Sequence, residues 1–188
     1  MKQFILPLIA LLILGSANAQ IQYESPHVKN GNAFQITLPA GYFEMTNGSY
    51  LGNEMFASQE GIDLEADDIE SLPIGILAVI HVPIDEQTLV SFKADLTKEL
   101  IDENDEIIVI GQPEIVKVNG RDCMQAGFKG KIEQEAFGGI YFSAVEFGDY
   151  FIVVSYYAFQ QIDDLLDFDD FKKIMASCKE VKTTKEDE

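Results

Sequence analysis

The chain has 188 residues, of which 47% are apolar, 11% aromatic and 24% charged, a mix that suits a packed core and excludes a disordered chain. Thirteen Lys and Arg against 32 Asp and Glu leave a formal charge of −19, which excludes nucleic acid and anionic lipid as partners of the chain as a whole. Two cysteines are too few for a disulfide-stapled miniprotein or a four-thiolate zinc site.

Met1-Lys2-Gln3 carries one positive charge, Phe4 to Leu14 is apolar apart from Pro7, and Ala17-Asn18-Ala19 follows the break at Gly15 and Ser16. This is the three-part plan of a secretory signal peptide. The apolar run is too short for a membrane span, which needs about 20 residues. Gln20, not Cys, follows the cleavage site, so no lipid anchor is expected. The reading is a signal peptide over 1–19 and a periplasmic or secreted mature chain. A single domain is expected over 20–181, then a charged, disordered tail over 182–188.

Gln20 to Asn32 reads as a polar lead-in, broken at Pro26 and Gly31. Ala33 to Leu38 alternates with Phe34, Ile36 and Leu38 on one face, and Pro39-Ala40-Gly41 ends that strand. Tyr42 to Met45 and Glu54 to Gln59 read as short strands on either side of an Asn47-Gly48-Ser49 turn. That triplet also fits an N-glycosylation acceptor, and we take it as a turn. Gly61 to Ser71 has five acids and no base, an exposed loop.

Ile74 to Val82 is apolar and β-branched, as a strand covered on both faces should be. Leu89, Phe92, Leu96 and Leu100 then recur at helical spacing, with Asp85 as the expected N-cap and Glu86 near the positive end of the helix dipole. Glu106 to Ile110 is read as a strand, Gly111-Gln112-Pro113 as a turn, and Val118-Asn119-Gly120-Arg121 as a tight hairpin. Its return strand places Met124, Ala126 and Phe128 on one face and Cys123, Gln125 and Lys129 on the other. A looser turn at Gly138-Gly139 leads to Ile140 to Phe147, and Gly148-Asp149 turns the chain into Tyr150 to Phe159. Phe168, Phe171, Ile174, Met175 and Cys178 mark a last amphipathic helix. Asp163, Asp164, Asp167, Asp169 and Asp170 gather at its start, where they favour the dipole. The fold class is therefore α+β: a mostly antiparallel sheet with helices packed on both faces.

The order of these elements resembles the PsbP-like superfamily. The residues that carry the resemblance are the strand from Phe34 to Leu38 running into Pro39-Ala40-Gly41-Tyr42, the helix with Leu89 and Phe92, and the Val118 to Arg121 hairpin. The paired strands about Gly148-Asp149 and the closing Ile174 to Cys178 complete the match. The superfamily includes the lumenal extrinsic subunit of photosystem II, a Ran-binding import factor, and bacterial periplasmic proteins and secretion chaperones. The resemblance implies an α/β/α sandwich and non-enzymatic binding or assembly support, and it transfers no binding residues.

For chemistry, the chain offers two histidines, His27 and His81. No spacing pairs either with a nucleophile, and there is no Gly-x-Ser-x-Gly elbow, His-Glu-x-x-His run or phosphate loop. His81 is read as a structural strand-end residue, and a hydrolase with a dispersed site around it is the third functional reading. Asp63, Glu65, Asp67 and Asp68 are the candidate ligands for Ca²⁺ or another divalent metal, a hard cation that takes oxygen donors. Asp68 sits where an EF-hand loop needs Gly, and Ile74 where it needs the bidentate Glu, so a solvated acidic loop is preferred. Cys123 and Cys178 either form a disulfide or are buried free thiols. The thirteen Phe and seven Tyr either pack the core or line an uncovered groove with Tyr42, Phe43, Tyr141, Tyr156 and Tyr157. The leading expectation is an exported, non-enzymatic binding or assembly-accessory protein with no cofactor, whose partner is another protein, with a basic one favoured by the charge.

Overall fold

The computed structural model describes residues 20–50, 53–68, 72–85, 87–98, 101, 107–132, 135–159 and 166–183. Residues 1–19, read above as a signal peptide, lie outside them, as do Glu86, Asp163, Asp164 and residues 184–188. Among the described residues the chain forms two antiparallel sheets and two helices. β1 (Gln22–Lys29), β2 (Asn32–Thr37) and β10 (Lys179–Lys182) make a small sheet in the order β1-β2-β10. β3 (Phe43–Tyr50), β4 (Asn53–Ala57), β5 (Gly75–Pro83), β6 (Ile107–Val118), β7 (Arg121–Ile132), β8 (Glu135–Phe147) and β9 (Tyr150–Phe159) make a larger one in the order β3-β4-β5-β9-β8-β7-β6. The helices are α1 (Leu89–Thr97) and α2 (Phe168–Ala176).

The small sheet corrects the sequence reading at both of its outer strands. The expected polar lead-in is β1, which turns back into β2 through Asn30 and Gly31, at φ 55° and 77°. Asn-Gly is the pair that tolerates two successive left-handed residues, as a two-residue hairpin demands. Pro26 falls where the β1–β2 register shifts between Glu24 and Val28, so its missing N–H breaks no ladder bond. At the other end, β10 runs through Lys182, which pairs with Asn32, and Thr183 N–H donates to Gly31 O at 3.2 Å. The extended chain thus continues past the boundary expected at residue 181.

Three further expectations need correction. Asn47-Gly48 does not end a strand: Asn47 takes φ 53° inside β3, where the pairing with β4 shifts between Glu44 and Ser49. Gly111-Gln112-Pro113 is likewise no turn, because β6 runs through it with two register shifts against β7. Both are bulges, which let a strand absorb an unpaired residue and bend. The N-cap of α1 is Thr88 rather than Asp85. Thr88 Oγ1 accepts from Ser91 N–H at 3.1 Å while Thr88 N–H donates to Ser91 Oγ at 2.9 Å, so two orphan donors are satisfied reciprocally. The cap of α2 follows its acidic start: Asp167 accepts from Asp170 N–H at 2.7 Å, with Asp169 and Asp170 in the first turn.

The core divides by the alternation of the large sheet's strands. One cluster joins Phe34 and Ile36 of β2, and Leu38 just after it, with Leu77, Val145, Ile152, Val154 and the α2 residues Phe171, Ile174 and Met175. A second joins Leu89 of α1 with Met124, Ala126, Phe128, Phe151 and Val153. Each fully buried Phe, Leu or Ile contributes about 1.5–3 kcal/mol. α2 is seated by two glycines paired across β6 and β7, Gly111 and Gly127. A Cβ on Gly127 would lie 2.8 Å from the Phe168 ring, so only glycine lets the helix approach here.

Candidate functional site

The chain's two histidines, 54 positions apart in sequence, meet in space. β5 carries His81 and β1 carries His27, and their rings lie edge to face with centroids 4.8 Å apart. His27 also stacks on Tyr150, the first residue of β9, at 3.6 Å. Tyr23 Oη lies 3.2 Å and Ser25 Oγ 3.3 Å from His81 Nε2. Ser25 Oγ accepts from His27 N–H at 3.1 Å, and His81 N–H donates to Asn53 Oδ1 at 2.9 Å. Ser25 Oγ accepts from the backbone and can also donate its own proton, so the direction of its bond with His81 Nε2 follows the tautomer of the ring. Burial, reinforced by the charge of Glu54, pushes the Tyr23 phenol well above its ordinary range, which keeps its proton available as well. Beside His27 opens a surface cavity of about 390 Å³ whose lining includes Lys29, Gly148, Asp149 and Tyr150.

The sequence singled out His81 and missed its partners. Nothing in local spacing joins His27, Tyr23 or Tyr150 to it, because the contacts depend on how β1 lies across β5 and β9. Chemically the cluster couples a hydroxyl to an imidazole, but Ser25 is 3% exposed and His81 8%.

The acidic loop is put to local use. Asp63 Oδ1 accepts from Asn47 Nδ2 at 3.0 Å and from Glu65 N–H at 2.9 Å, and Asp67 Oδ2 accepts from Asp63 N–H at 2.8 Å. The Asn47 amide and the Glu65 N–H hold the Asp63 carboxyl below its usual range. These oxygens close a turn, and among the described residues no three His, Cys, Asp or Glu side chains gather as they would around a cation. Cys123 and Cys178 are buried free thiols in the same core cluster; burial pushes Cys123 up to about 11 and raises Cys178. Cys123 Sγ lies 3.3 Å from Ser143 Oγ.

The tyrosines pack inside. Tyr42, Tyr141 and Tyr156 are buried, with Tyr141 and Tyr156 stacked at 5.2 Å, so they fill the core rather than line a groove. Burial pushes Tyr156 up to about 12.

No family model matches the chain, and no curated protein matches it in sequence. Among solved structures it is similar to the solution structure of cyanobacterial PsbP (CyanoP) from Synechocystis sp. PCC 6803. The TM-score is 0.52 at 16% identity, covering 86% of this chain and 92% of that one. At this identity the likeness is one of fold. The chain has a PsbP-like fold: a mostly antiparallel β structure with two helices among the described residues.

Proposed function

We propose that this is an exported, non-enzymatic binding or assembly-accessory protein whose partner is another protein with a basic surface. The observation that carries this reading is the PsbP-like fold over most of the chain. The division of the core supports its finer form, an α/β/α sandwich in which α1 and α2 close opposite faces of the large sheet. The charge of −19 supports a basic partner, because such a surface steers cationic groups toward it and repels anions. Export rests on the leader; among the described residues no helix is long and apolar enough to cross a membrane.

Capture of partners from the native envelope by the tagged chain, at low and at high salt, tests the binding role. A specific partner should be held at low salt and released as screening grows; a set of captured proteins indifferent to salt removes the acidic surface from the account. Mass spectrometry of the mature chain should find Gln20 at its N-terminus, and an intact Met1 rejects export by this leader.

A hydrolase is favoured by one feature, the Ser25–His81 contact. Burial of both groups argues that it holds strands together. Turnover of an activated ester that disappears in Ser25→Ala would reverse that judgement.

A further inference from the structure

β1 is the outer strand of its sheet and pairs on one side only, with β2. Its ladder is interrupted between Glu24 and Val28, the stretch that holds Ser25, Pro26 and His27. Where backbone bonds are missing, side chains do the holding. Tyr23 Oη and Ser25 Oγ meet His81 Nε2, and the His27 ring lies on Tyr150 and against His81. Beside the packing of Tyr23 in the core, the attachment of β1 to β5 and β9 therefore runs through two imidazoles, the side chain whose charge changes near neutral pH.

We propose that the His27–His81 pair is a pH-operated latch, closed when both rings are neutral, that frees β1 from the large sheet as the surroundings acidify. Two cations at a ring separation of 4.8 Å repel, and an imidazolium can no longer accept at Nε2 from either the Tyr23 or the Ser25 hydroxyl. The other groups facing the pair come from each packed element. β1 supplies Tyr23, Ser25 and Lys29; β4 supplies Asn53, and Glu54, whose charge reaches Tyr23; the β8–β9 hairpin supplies Asp149 and Tyr150.

Burial lowers the pKa of His27 from its ordinary value of 6.5. The folded state then binds fewer protons than the unfolded one. Its contribution is complete above pH 6.5 and is lost as pH falls toward the lowered value.

The test is an NMR titration of the full chain from pH 8 to 5, following both imidazoles and the backbone amides. The His27 ring should titrate below 6.5, and the amides of residues 23–25 and 27–29 should shift with the same midpoint while those of β7 stay still. In parallel, the thermal midpoint of the wild type should fall relative to that of His27→Gln between pH 8 and 5.5. Referring each to the variant removes the common effect of the many carboxylates. If His27 titrates at or above its ordinary value with the β1 amides unmoved, or if the variant tracks the wild type at every pH, the latch is rejected. Should His27→Gln fail to fold, the wild-type titration decides alone.

Discussion

The cluster closed by α2 and the cluster closed by α1 share strands and are finished to different standards. Under α2, Phe171, Ile174 and Met175 are all buried, and β2 with the residue that follows it brings Phe34, Ile36 and Leu38 into the same cluster. Under α1, Leu89 is the one buried residue of the helix; Phe92 and Leu96 are partly covered and Val90 is 67% exposed. Ile80, Val82, Phe142 and Val109 are partly covered in the same cluster. A second layer of strands, more than the helix itself, makes the difference. The lesson is that the cohesion of this fold sits between the two sheets and α2, while α1 shields a surface the sheet would otherwise expose.

Substitution can break that comparison most sharply at matched aromatics. Phe171→Ala should lower the urea-derived stability by about 4 kcal/mol, whereas Phe92→Ala should cost about 1 kcal/mol; equal losses would mean that the two helices carry equal weight. Gly127→Val drives a branched side chain into the seat of Phe168 and should cost about 3 kcal/mol. The same urea titration reads it, and Gly127→Ala should fall between the two. Asn119→Ala should cost about 2 kcal/mol. Asn119 holds φ 49° in the β6–β7 hairpin, and its Nδ2 donates to Ala176 O and Cys178 O at 2.8 and 2.9 Å, so the change loosens the end of α2 as well as the turn. Hydrogen exchange should show that loosening in β10. The smallest effect belongs to α1: Thr88→Ala removes the reciprocal cap and should cost about 1 kcal/mol, with the faster exchange confined to the first turn of that helix.

Much of the fold is readable in the sequence because it is local. The Asn119-Gly120 hairpin, the alternation of β7 and the apolar run of β5 each carry their own signal within a few residues. Bulges mislead for the same reason: Asn47-Gly48 and Gly111-Gln112-Pro113 have turn chemistry, and only pairing with a neighbour shows that the strand continues through them. β1 had its signal in Asn30-Gly31, masked by Pro26 and a polar composition. β10 is short and charged, and it exists because β2 offers it an edge. The histidine cluster is the least legible part, since no spacing rule connects residue 27 with residue 81. Their meeting is a property of two sheets lying against each other.

The irregularities of β6 bear on how the protein behaves when crowded. An outermost strand with free amides is a template on which further chains can stack into fibres, and this one carries Ile108 and Ile110 facing solvent. Interruptions at Val109–Gly111 and Gly111–Glu114, with Pro113 lacking a donor, leave no long straight run for a newcomer to copy. The kinks that disguise this strand in the sequence thus also guard the rim of the molecule against polymerisation.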